Sequence, residues 1–94
     1  MVITHAQCRG ARAMLGWTQD RLVAEAGLAK ATIVDFERGV RRPMPQNLAA
    51  LRRAFEAAGI VFIDENGGGR GVRFSVPTEE GPASEEADEG NTGE

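Results

Sequence analysis

Apolar positions recur at helical spacing as far as residue 58, then switch to a short, β-rich pattern. Cys8, Ala11, Arg12 and Leu15 share one face of a helix predicted over 4–15, with Thr4 as its N-cap and Gly16 as its stop. Trp17-Thr18 opens a second helix over 18–26, with Leu22, Val23 and Ala26 turned inward and Gly27 at its end. A third is predicted over 30–38, with Ile33, Phe36 and Glu37 on one face, ended by Gly39. After the basic loop Val40 to Met44, Pro45 suits the first position of a fourth helix over 45–58, striped by Leu48, Leu51, Phe55 and Ala58. Ile60-Val61-Phe62-Ile63 and Val72-Arg73-Phe74-Ser75-Val76 then read as two strands of a hairpin with a loose glycine-rich tip.

Charge changes this picture by dividing the chain. The 94 residues carry 11 Lys and Arg against 14 Asp and Glu, a net charge of −3. Seven of those acids, and no base, lie beyond Val76. Residues 1–75 therefore carry 11 bases against 7 acids and are net positive. The expected organisation is a helical domain over 1–59, a β-hairpin extension over 60–76 and a disordered acidic tail over 77–94, too poor in apolar residues to offset its ordering entropy. Tethered to a basic body, such a tail is expected to compete with any polyanion for the basic face.

The remaining composition narrows the chemistry. One cysteine and one histidine form neither an intramolecular disulfide nor a Cys/His zinc site, and no metal or cofactor is expected. No leader and no membrane span are predicted, so the expected setting is the cytoplasm. No hydroxyl has a histidine within sensible reach, which argues against an enzyme. Gly67 to Gly71 lacks the helix and Lys-Ser/Thr of a phosphate-binding loop and reads as a hairpin tip. Trp17 and Cys8 read as packing residues, His5 as a surface residue, and Arg52-Arg53 as a solvated helix face.

Two short helices joined by a tight turn containing Gly27 have the geometry in which the first helix braces and the second enters the DNA major groove. The residues Thr18-Gln19, Leu22, Ala26-Gly27, Ile33, Phe36-Glu37, Gly39 and Arg42-Pro43 strengthen this reading. In them the chain resembles the phage repressor/Cro-type, or XRE, family of helix-turn-helix regulators, over roughly residues 5–58. The resemblance implies a mainly α, four-helix repressor-like bundle. Its function would be that of a bacterial or phage transcriptional regulator, such as a repressor, that reads double-stranded DNA with helix 30–38 as a homodimer. It implies base contacts by Lys30, Ala31 and Asp35, flanked by Thr32. Gln19 would contact a phosphate and brace the third helix, and Arg38, Arg41 and Arg42 would contact phosphates. It also implies a structural ion pair between Arg12 and Glu37, two charges on inward stripes that each need a partner. Two positions depart from the family pattern. Ala29 stands where the family caps the third helix with Ser or Thr, and Asp35 either selects cytosine or repels the DNA backbone. The alternative reading is an adaptor, antiactivator or antitoxin that uses the same fold to bind a protein partner.

Overall fold

Six elements follow one another in the order α1 (His5–Leu15), α2 (Gln19–Ala26), α3 (Lys30–Glu37), α4 (Pro45–Ala57), β1 (Ile60–Ile63) and β2 (Gly71–Phe74). The computed structural model describes residues 2–76. The acidic segment 77–94, expected to be disordered, lies outside the described residues, as does Met1.

Local chemistry sets the helix ends. Thr4 and Gln7 form a capping box: the Thr4 hydroxyl accepts from the Gln7 amide, and the Gln7 side chain accepts from the Thr4 amide. Thr18 caps α2 by accepting from Arg21 N. Gly27 then closes α2 at φ 71°, a backbone conformation that strains any residue with a Cβ, and this lets α3 begin only three residues later. Ala29 gives α3 no side-chain cap. The third helix ends at Glu37 rather than Arg38, because Gly39 turns left-handed there and its amide bonds Phe36 O. Arg38 is therefore the cap residue, not part of the helical face.

Leu22, Ile33, Leu51 and Phe55 are fully buried where the four helices meet. Trp17 stacks on Phe55 with ring centroids 5.7 Å apart, which places it in packing as expected. The hairpin is part of the same core. Ile60 and Phe62 are buried, and Phe62 meets Phe55 edge-on at 5.9 Å. Its antiparallel register pairs Ile60 with Phe74 and Ile63 with Gly71, so β2 starts one residue earlier and ends two residues sooner than the alternation predicted. The tip is also not loose. The Glu65 carboxylate accepts from the amides of Gly67 and Gly69, and Asn66 Oδ1 accepts from Gly68 N.

Gln7 joins the hairpin to α1. Its side chain is buried and its Nε2 donates to Ile63 O at 3.3 Å and Gly71 O at 2.9 Å, the last residue of one strand and the first of the next. A two-stranded hairpin of this size has little stability of its own. Gln7→Ala removes three side-chain hydrogen bonds, so it is expected to cost about 1–3 kcal/mol. The loss should be local: amide exchange in β1 and β2 should quicken more than in α4. Equal acceleration in both would contradict the anchoring role.

Candidate functional site

Glu37 gathers three of the four helices around one carboxylate. It is 3% exposed, and Arg12 of α1 meets it in a two-pronged ion pair, Nε to Oε2 and Nη2 to Oε1, both at 2.8 Å. The third nitrogen, Nη1, donates to Trp17 O at the start of the α1–α2 turn. Gln19 Nε2 of α2 donates to Oε1 at 3.0 Å, and the Cys8 thiol of α1 donates to Oε2 at 3.2 Å. Burial by itself would raise the Glu37 pKa; the hydrogen bonds from Arg12, Gln19 and Cys8 outweigh it and hold the carboxyl below its ordinary value. Cys8 moves the other way. Burial, and then its bond to an anionic acceptor, push its thiol far above the usual range, so it is a packed donor rather than a nucleophile. Arg9, which no sequence pattern singled out, adds a bond from Nη1 to the Glu37 carbonyl at the end of α3, and Nη1 also meets His5 Nδ1 at 2.9 Å.

With Ile33, Phe36 and Glu37 turned inward, the opposite side of α3 faces out. Lys30 and Ala31 are exposed, while Thr32 and Asp35 are half-buried. Lys30 does not stand alone. Its Nζ lies 2.9 Å from Asp20 Oδ1 in the first turn of α2, an exposed pair in which Asp20 is 77% accessible. Asp35 has a looser neighbour in Arg38, whose Nη1 is 3.9 Å away. A carboxylate in the first turn of α2 suits the helix dipole, and its link to Lys30 depends on how α2 and α3 cross.

Gln19 sits half-buried at the first position of α2 and spends one amide hydrogen on Glu37; its second hydrogen remains for another acceptor. Arg41 and Arg42 project from the loop after α3, where Pro43 is buried and anchors the chain. Both arginines are exposed. Lys30, Ala31, Asp35, Arg38, Arg41 and Arg42 thus belong to α3 and the loop that leaves it, while Arg12 and Glu37 belong to its inner side. Among the described residues no helix is long and apolar enough to cross a membrane, and no group of three or more His, Cys, Asp and Glu is placed to hold a metal ion.

The sequence model of the Helix-turn-helix family matches residues 9–57, more than half of the chain, spanning most of α1 and all of α2, α3 and α4. No curated protein matches the chain.

Proposed function

This chain belongs to the XRE-type helix-turn-helix family of DNA-binding regulators, and on that premise we propose that it reads a specific sequence by laying α3 in the major groove. The observation that supports this reading most is the division of α3 into two sides. Its inner side is held by Arg12, Gln19 and Cys8 through Glu37. Its outer side presents Lys30 and Ala31 at the helix start and Asp35 one turn on. In this reading Lys30 exchanges Asp20 for a guanine edge, Ala31 meets a thymine methyl with Thr32 beside it, and Asp35 accepts from a cytosine amino group. Gln19, Arg38, Arg41 and Arg42 grip phosphates on either side and set the register. The protein acts as a homodimer on paired half-sites, with no enzymatic step.

Selection of bound duplexes from a random library tests the reading. A short enriched motif is expected, and two inverted copies of it would carry the dimer. Lys30→Ala should then relax preference at one base position by about 1–3 kcal/mol and leave the other positions unchanged. Recovery of no motif would overturn sequence-specific reading. The adaptor or antitoxin alternative draws on the Lys30–Asp20 pair, which offsets the one cation at the start of α3. It would gain if Lys30 and Asp35 variants lost a protein partner while DNA binding stayed the same.

A further inference from the structure

Among the described residues, Arg41, Arg42, Arg53 and Arg70 have neither an ion pair nor a hydrogen bond. Three of these four line one cavity of about 310 Å³. Thr4 and His5 wall it from the start of α1, Arg41 and Arg42 from the loop after α3, and Arg70 from the hairpin tip. Three arginines on one cavity, with no carboxylate among its lining residues, gather positive charge that an anion would offset. The planar guanidinium fork fits an oxyanion with two adjacent oxygens, such as a phosphodiester, better than a point acceptor.

The hairpin delivers Arg70 there by identifiable bonds. Glu65 gathers the amides of Gly67 and Gly69, and the next carbonyl after Arg70, Gly71 O, is held by Gln7 of α1. The arginine therefore leaves an anchored tip rather than a free arm. The cavity adjoins the C-terminal end of α3, since Phe36 and Gly39 also line it. Arg41 and Arg42, read above as phosphate contacts, line the same cavity, so the backbone they grip passes its opening.

We propose that Arg70 closes a phosphate-binding cavity with Arg41 and Arg42, so that the β-hairpin grips the DNA backbone from outside the helix-turn-helix segment. The inference rests on the DNA-binding reading above, and it assigns DNA contact to a residue beyond the family match.

The test measures binding of the full chain to duplex DNA across a series of salt concentrations. Arg70→Ala is expected to reduce the slope of log affinity against log salt by about 0.9, as for one lost phosphate contact. The loss should be the same for random and selected sequences, and Arg70→Lys should keep most of the slope. Arg73→Ala makes the same charge change on β2, outside the cavity, and should leave the slope at the wild-type value. If Arg70→Ala behaves like Arg73→Ala while Arg41→Ala with Arg42→Ala lowers the slope, the hairpin contact is overturned and the DNA reading survives. If the wild-type chain binds no duplex even at low salt, both fall. If inorganic phosphate shifts the Arg70 Nε–H resonance but Arg70→Ala leaves the DNA slope intact, the cavity takes a free anion and the DNA assignment is overturned.

Discussion

Arg12→Ala is expected to cost about 3 kcal/mol of folding stability in urea melts at neutral pH. Removing one partner of a buried ion pair typically costs ~3–5 kcal/mol because the other charge is left buried. The lower end applies because the Arg12 side chain keeps 21% of its exposure, whereas Glu37 keeps 3%. Small domains hold only roughly 0.05–0.15 kcal/mol per residue, so this single loss removes a large share of the total. Replacing both residues together, Arg12→Met with Glu37→Leu, should be milder, since no charge is stranded. Equal losses in the single and double variants would show that the pair contributes nothing as a pair.

The pH dependence supplies a sign. Glu37 titrates below its ordinary value in the folded chain, so its ionised form contributes stability that is present above the unfolded-state pKa. That contribution is lost as pH falls through the folded value. In Arg12→Ala the main hydrogen-bond partner is gone and burial remains, which pushes the Glu37 pKa upward. The stability gap between wild type and variant should therefore narrow as the medium is acidified toward about pH 4. A gap that stays constant would mean that Glu37 does not respond to Arg12.

Arg41→Ala with Arg42→Ala should do the reverse, leaving stability nearly unchanged and removing affinity. Neither side chain has a hydrogen bond or ion pair to lose among the described residues, and exposed substitutions of that kind usually stay within about 0.5 kcal/mol. If both meet phosphates, the salt slope falls by about 1.8. If their contribution fades near 1 M salt, the affinity at 0.1 M drops roughly 60-fold. The drop should be equal for every sequence, unlike the single-base effect of Lys30→Ala. A double variant with unchanged affinity and slope would place the interface elsewhere.

What could be read from the residues alone has a physical boundary. Helix ends were legible because their causes are local: Thr18 caps within three residues, and Gly27 turns where a side chain would strain. The Arg12–Glu37 contact was also accessible, since two charges on apolar stripes need partners. Contacts set by the path of the whole chain were not. Gln7 reaches carbonyls 56 and 64 residues away, and its spacing from Thr4 signals only a cap. Ile3 is buried at 2% exposure although it precedes the first helix, because the bundle closes over it. The Lys30–Asp20 pair follows from how α2 and α3 cross. Arg70 reads as part of a loose tip, and the Glu65 and Gln7 bonds fix the backbone from which it joins Arg41 and Arg42 on one cavity. The order of that tip had a local sign in Glu65, two residues before Gly67.

The separation of inner and outer sides on α3 bears on how such a protein can change over generations. Ile33, Phe36 and Glu37 carry the attachment of the helix, and a change at any of them is felt by the whole fold. Ala31 and Lys30 face solvent, and exposed positions tolerate most substitutions at little thermodynamic cost. Under the proposed reading of bases by these outer residues, a lineage built on this scaffold moves from one operator to another by drift at a few of them, each intermediate staying folded. In that same reading duplicated copies part company likewise: identical frames held by the same carboxylate, each addressing its own site in the genome.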